Sequence, residues 1–478
     1  MTEKEEFDKS DLIKKYEEMV GQEKSYYFDA DQIEAVAGWY ELKEDFNEAL
    51  NAVKYGLTLH PSSETLLLYK AKYLLFLDYT EEAKKIMDHL PLENEEAELV
   101  RIELSFAENN SEKAFSLIQK KLESDEMTWE FCMDVISILW GYGTFTEIID
   151  FVLASLKKLP DNQELLNELG MLYQDNLMID EAIDVFNRIL DKDPFHENSW
   201  ESLAKAYVIK REFEKAIEAC DFALAINEKN ADVLLLRGFC QYDADDAQGA
   251  LATFTQYYDL TNDKLRGLEL MAECHSKLGN MKQSFDLLNQ SLEIDSSNSY
   301  TYYLIALNYL DMGNTPMARE YVNKALALND GDSQYHLLLC DLYMCEENWE
   351  KGLDAAKKLY ELDPLSPNIL PKLGELYTKL EDYASAVHYY ELALKEDPDN
   401  LGVKFSLVAS YHLNEENEKA AQLTDDLFRT ANTDKESENS NISRDVLQRF
   451  HNLMTEITLS LVDPEKFNKK SAEEPGQD

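Results

Sequence analysis

Three short stretches carry residue types that could do chemistry. Cys274 and His275 are adjacent, a thiol beside an imidazole, which would suit a metal ligand pair or a base-activated nucleophile. No second Cys or His stands near them in sequence, and both fall at packed positions of a helical pattern. The run "WGYGTF", Trp140 to Phe145, places two glycines where backbone amides could cradle a phosphate. It lacks the G-x-x-x-x-G-K frame that such a loop needs and lies at a helix–helix turn, where glycine is expected. The run "DADDAQG", Asp243 to Gly249, starts like a calcium loop, but its twelfth position is Phe254 where a bidentate Glu is required. The six cysteines, Cys132, Cys220, Cys240, Cys274, Cys340 and Cys345, form no C-x-x-C pair and read as reduced thiols on packed helix faces. The eight histidines are dispersed. These residues assemble no catalytic set, so the expectation is a protein that is not an enzyme, with no metal site and no cofactor.

The totals narrow the partners. The chain has 478 residues, with 46 Lys and Arg against 94 Asp and Glu, a formal net charge of −48. Such a surface repels phosphate, which argues against nucleic acid and anionic membranes and leaves a basic protein partner open. The first residues, "MTEKEEFDKSDLIKKYEEM", show no basic start, apolar core or small-residue cleavage site. The longest run without a charged side chain, Ser296 to Leu310, contains Asn and several Tyr and falls short of the about 20 apolar residues of a membrane span. A soluble, cytoplasmic protein is expected.

The elements that would position any site follow from a repeat. Counting in steps of 34 from Ala216 reaches Ala250, Ser284, Ala318, Gly352, Ala386 and Ala420 in one direction and Ala182, Ile148 and Ala114 in the other. A step of 31 then reaches Ala83, and another of 34 reaches Ala49. A second row lies twelve residues earlier: Ala37, Ala71, Ile102, Ile136, Gly170, Ala204, Gly238, Ala272, Ala306, Cys340, Gly374 and Val408. Tyr recurs three residues after this row, as at Tyr40, Tyr173, Tyr207, Tyr309, Tyr343, Tyr377 and Tyr411, and Pro61, Pro160, Pro194, Pro364 and Pro398 close several repeats. Each repeat therefore reads as two amphipathic helices, A and B, joined by a tight turn. Small residues stand where the two backbones cross. One pair cannot bury its apolar faces alone, so neighbours must stack.

The pattern resembles the tetratricopeptide repeat, a 34-residue helix–turn–helix unit of the form W-x2-L-G-x2-Y, A-x3-F and P. "SWESLAKAYVIKREFEKAIEACDFALAI" supplies Trp200, Leu203, Ala204, Tyr207 and Ala216, and "LPKLGELYTKLEDYASAVHYYELALKEDP" supplies Leu373, Gly374, Tyr377, Ala386, Tyr390, Ala393 and Pro398. The resemblance, to long multi-repeat members of bacterial type, implies an all-α, right-handed superhelical solenoid of about twelve tetratricopeptide helix pairs over residues 30–434. The repeats at 64–162 are degenerate, with Ile102 and Ile136 in place of small residues, and predict a local bend or looser packing. Residues 1–29 read as a capping helix and entry segment, with Leu12, Ile13, Tyr16 and Met19 on one face and Asp29 and Gln32 spaced as a capping box. Residues 435–441 read as a polar linker, 442–462 as an amphipathic helix carrying Ile442, Val446, Phe450, Leu453, Ile457 and Leu461, and 463–478 as a disordered tail.

In this family ligands usually lie along helix A, which implies a groove here. At the implied positions three repeats carry an apolar stripe: Leu235, Leu236, Phe239 and Tyr242; Tyr303, Leu307 and Leu310; and Leu338. Arg266, Glu269 and Glu273 interrupt it in the intervening repeat. The expected function is a protein-interaction scaffold or adaptor that takes a partner peptide or helix with basic flanks in this groove. Self-assembly through the same apolar surface or the terminal helices, and a groove that closes around a regulatory peptide, stay open as alternatives. The basic clamp by which some members grip the acidic end of heat-shock chaperones is absent, since Asn167, Met171, Ser202, Asp232 and Leu236 stand at its places.

Overall fold

The computed structural model describes residues 3–21, 26–124 and 127–433. Among them are 25 α-helices and no strand. Helix α1 (Glu3–Val20) precedes twelve pairs. The first helices of the pairs are α2 (Ala30–Glu41), α4 (Glu64–Phe76), α6 (Glu95–Ala107), α8 (Trp129–Tyr142), α10 (Gln163–Asp175), α12 (Glu197–Ile209), α14 (Ala231–Asp243), α16 (Lys264–Lys277), α18 (Ser299–Asp311), α20 (Ser333–Cys345), α22 (Ile369–Lys379) and α24 (Leu401–Leu413). The second helices are α3 (Phe46–Leu59), α5 (Thr80–Met87), α7 (Ser111–Glu123), α9 (Phe145–Lys158), α11 (Ile179–Leu190), α13 (Phe213–Ile226), α15 (Ala247–Leu260), α17 (Met281–Ile294), α19 (Thr315–Leu328), α21 (Trp349–Leu362), α23 (Tyr383–Glu396) and α25 (Asn417–Thr433). The fold is an all-α repeat. The linker, helix and tail expected at 435–478 lie outside the described residues.

The chain forms two compact units, Met1–Ala244 and Asp245–Asp478, divided within the seventh pair. In the N-terminal unit, α1 buries Ile13 and Tyr16, with Leu12 and Met19 packed beside them. The Tyr16 ring meets Phe28, Tyr40 and Tyr55 edge-on at 6.1, 6.2 and 6.4 Å. One core cluster runs from Ile13 to Leu104 and a second from Ile102 to Val233. In the C-terminal unit the largest cluster runs from Ala306 to Leu427.

Many of the helices begin where the sequence supplies a capping side chain. The Asp29 carboxylate accepts from the Gln32 amide N–H at 2.9 Å, and Gln32 Oε1 accepts from the Asp29 N–H at 3.1 Å, a reciprocal capping box. Thr144 and Glu147 form another at the start of α9. Asn162, Asn230, Asn298 and Asn400 cap the first helices of four other pairs. Part of the acidic surplus thus lies in first turns, where it favours the helix dipole.

All 24 marks of the two sequence rows are buried. A further rule governs their size. A Cβ built on Gly170 would lie 2.4 Å from Cε1 of Phe186, and one on Gly374 would lie 2.6 Å from Cε1 of Tyr390. Both rings stand sixteen residues after the glycine, on the second helix of the same pair. Where the first mark is Ala204 or Ala306, that place holds the smaller Cys220 or Val322. A ring on one helix thus fills the volume that glycine leaves on the other.

Eleven of the twelve pairs turn through a residue in the left-handed region, and few of these are glycine. Glu44, Asp78, Asn109, Leu177, Arg211, Asp245, Glu347, Glu381 and Glu415 have φ between 56° and 68°, with Gly279 and Gly313 in register. At Leu177 the following amide, Met178 N–H, donates to the Tyr173 carbonyl at 2.8 Å, which closes the end of α10. The fourth pair differs. Gly143 is extended, with φ −98° and ψ −179°, and an added Cβ would lie 2.9 Å from the Leu139 carbonyl oxygen. The glycine expected at this turn is therefore there for close approach to the helix end.

Candidate functional site

The chemistry-bearing residues are packed rather than poised. Among the described residues, no group of three or more His, Cys, Asp or Glu side chains could hold a metal ion. Cys274 is buried, and burial pushes its thiol up to about 12. Burial holds neighbouring His275 below the usual imidazole range. Cys220 and Cys340 are buried and raised to about 12 in the same way. Thiols so disfavoured as thiolates are poor nucleophiles and ligands at neutral pH.

The stripe read from the sequence divides between the two units. In the N-terminal unit, α14 carries Leu235, Leu236 and Tyr242 half-buried and Phe239 at 36 % exposure. Leu236 packs on the core that contains Val233. In the C-terminal unit, α18 carries Tyr303, Leu307 and Leu310 half-buried, packed against the core below them. Leu338, on α20, departs from the stripe. It is only 6 % exposed and shares a core cluster with Leu370 and Leu373, because α20 turns this position inward. Leu304, the counterpart of Leu338 on α18, is likewise only 5 % exposed.

The interruption at Arg266, Glu269 and Glu273 is built into the tyrosines. Glu269 is 2 % exposed and accepts from Thr301 Oγ1 at 2.7 Å and Asn298 Nδ2 at 3.1 Å. Tyr300 Oη donates to Glu273 Oε1 at 3.2 Å, and the Arg266 guanidinium lies 5.7 Å from the Tyr300 ring centroid. The Tyr300 and Tyr303 rings are 5.9 Å apart, and Tyr303 and Tyr335 are 5.1 Å apart. Burial raises both carboxyls above the usual range, and Arg266 draws them back. The result is an aromatic face on α18 with two desolvated carboxylates beneath one edge, an arrangement that favours an added cation.

A second feature, missed in the sequence, lies on α4, α6 and α8. A cavity of about 420 Å³ has Phe76, Leu99 and Ile138 among its walls and Glu41, Lys72, Glu103 and Asp134 around them. Lys72 Nζ pairs with Glu41 Oε1 at 2.7 Å, and Tyr73 Oη donates to Glu41 Oε2 at 2.8 Å. Burial pushes the Glu103 carboxyl up to about 7, with Lys72 acting against it. Burial likewise raises Asp134. The signal was present in the row immediately after the helix-A marks, where Lys72 and Glu103 correspond to Phe239 and Leu307.

Two family models, each described as Tetratricopeptide repeat, match this geometry in sequence. One matches residues 299–332 and 372–400, and the other residues 167–231. Over these residues the chain carries tetratricopeptide repeats. The tetratricopeptide register runs through the matched pairs without a break. The chain is 23% identical over 297 residues to anaphase-promoting complex subunit 7 of Dictyostelium discoideum, covering 61% of this chain and 50% of that protein. It is 22% identical over 299 residues to the TPR repeat-containing protein YpiA of Bacillus subtilis, covering 61% of this chain and 70% of that one. A solved tetratricopeptide repeat protein from Parabacteroides merdae aligns with a TM-score of 0.46 at 18% identity, covering 52% of this chain and 98% of that structure. The chain spans about half the length or less of the first curated relatives it matches.

Proposed function

We propose that this tetratricopeptide-repeat protein is a cytoplasmic, non-enzymatic scaffold that holds a partner peptide or helix along its first helices. The observation that carries the reading is the α18 face. Tyr300, Tyr303, Leu307 and Leu310 stand half-buried in one row, and Glu273 and Glu269 lie at its edge. Half-exposed aromatic and aliphatic side chains in one row are the kind of anchor on which binding energy concentrates. The carboxylates select a ligand with Lys or Arg beside an apolar core. Phe239 on α14 adds an aromatic anchor of the same kind in the N-terminal unit. Among the described residues no helix is long and apolar enough to cross a membrane, and the five buried thiols suit a reducing compartment.

The test compares capture by the intact protein and by Leu307→Ser and Phe239→Ser variants. Loss of a captured protein with Leu307→Ser, at an unchanged thermal midpoint, supports the reading, and Phe239→Ser tests the α14 anchor by itself. Undiminished capture by folded variants refutes it. A partner recognised through the carboxylates is also released by added salt.

A further inference from the structure

We propose that the cleft between α7 and α9 is a second docking surface, for an apolar segment of a partner protein flanked by Lys or Arg. It is independent of the groove reading, because it is built from second helices of the third and fourth pairs, whereas the groove uses first helices. The cleft encloses about 520 Å³, within the range of ligand-binding pockets. Phe115 and Leu122 of α7, both half-buried, and Phe151 of α9 supply its apolar floor.

Two features of the chain coincide at this cleft. The fourth pair is alone in carrying large residues at both crossing marks, Ile136 and Ile148, where every other pair has Gly, Ala or Ser in at least one. It also enters its second helix through the extended Gly143, where every other pair turns through a left-handed residue. Helix α9 therefore follows α8 by a different route from its counterparts, and the cleft lies beside it.

The charge of the rim identifies the occupant. The charged side chains that line the cleft are Glu112, Glu147 and Asp150, all acidic. Glu147 is engaged locally, its Oε2 accepting from the Thr144 N–H at 2.8 Å and from Thr144 Oγ1 at 2.9 Å. Glu112 and Asp150 are exposed at the mouth. An acidic segment would be repelled there, and a wholly polar one would leave the Phe115 and Leu122 surface in contact with water. A segment with apolar side chains between Lys or Arg satisfies both the floor and the rim.

The test uses the full chain and a fluorescein-labelled amphipathic Leu/Lys helix as probe, followed by anisotropy. Ser116, exposed and lining the cleft, is changed to Trp to fill it, and Glu112→Lys with Asp150→Lys reverses the rim. Glu214→Lys with Glu218→Lys on α13 makes the same change in net charge at exposed positions elsewhere. The expected result is a loss of about tenfold or more in affinity, about 1.4 kcal/mol, for each cleft variant, with less than about a twofold change for the α13 control. The same cleft variants are also compared in the Leu307→Ser background, where the cleft-dependent loss persists whether or not the groove takes the probe, so failure of the groove reading is seen separately. Equal weakening by cleft and control reversals, or no effect of Ser116→Trp, overturns the proposal. So does a dimer in light scattering that Ser116→Trp dissociates, since the occupant is then a second copy of the chain.

Discussion

The pairing of Gly170 with Phe186 makes a quantitative prediction. Replacing Gly170 by Ala adds one methyl group that would stand 2.4, 2.7 and 3.0 Å from Cε1, Cζ and Cδ1 of Phe186. Carbon atoms pack at about 3.5–4.0 Å, so the ring must move by roughly 1 Å. Phe186 is fully buried, so its ring can move only by displacing its neighbours in the core. Overpacking of this kind costs about 1–3 kcal/mol, against a helix-propensity gain of about 1 kcal/mol for Gly→Ala. The net expectation is a destabilisation of up to about 2 kcal/mol. Gly38, inside α2, provides the contrast, since a Cβ there meets nothing within 4 Å. Gly38→Ala should therefore stabilise by about 0.5–1 kcal/mol.

Urea unfolding followed by circular dichroism measures both, and a double-mutant cycle separates packing from propensity. Phe186→Val imitates the ninth pair, where Val322 follows Ala306. Combined with Gly170→Ala, it should cost at least about 1 kcal/mol less than the sum of the two single changes. Additive costs, or a gain for Gly170→Ala equal to that for Gly38→Ala, would refute the volume argument.

Three further outcomes follow from named residues. Burial holds the Glu103 carboxyl at about 7, above the ordinary 4.5; the unfolded chain ionises first, so stability falls as pH rises from about 4.5 to 7. Glu103→Gln should remove a penalty of at most about 3 kcal/mol, giving a higher urea midpoint than the native chain at pH 8 and little difference at pH 4.5. Leu177 has φ 59° and is 77 % exposed, so Leu177→Gly should relieve backbone strain without losing packing and stabilise by about 0.5–1 kcal/mol, measured by the same unfolding curve. Leu338→Ser should cost about 2–5 kcal/mol because the side chain is in the core, whereas Phe239→Ser should lower the thermal midpoint far less.

The sequence made the helix pairs legible because their crossing is a local, periodic constraint. A residue that must be small recurs at each pair, and all 24 positions so identified are buried. Two kinds of feature stayed hidden. The turn residues include Leu177, Arg211 and Glu347, none of which favours the left-handed region by itself; packing of the two helices imposes it. The groove was only partly legible because its positions adjoin the core on the same helix. Leu338 stands two residues before its crossing mark, as Leu304 does, and both are core, whereas Leu307 stands one residue after its mark and is half-exposed. Hydrophobicity alone cannot separate them; their place relative to the crossing does.

The fourth pair shows how a departure from the repeat can be tolerated. In a stacked array each pair contacts only its neighbours, so one irregular pair weakens two junctions and leaves the others intact. Ile136 and Ile148 are both almost fully buried, so the irregularity is packed rather than empty. Both of its helices line cavities. Helix α8 contributes Asp134 and Ile138 to the cavity with α4 and α6, and α9 contributes Asp150 and Phe151 to the cleft with α7. Both cavities join apolar walls to carboxylates, although one faces the first helices and the other the second. On a chain with 94 Asp and Glu against 46 Lys and Arg, carboxylates at both openings are what composition alone supplies. What composition does not supply is the apolar floor of Phe115, Leu122 and Phe151 beside them, and it is this floor that filling the cleft by Ser116→Trp tests.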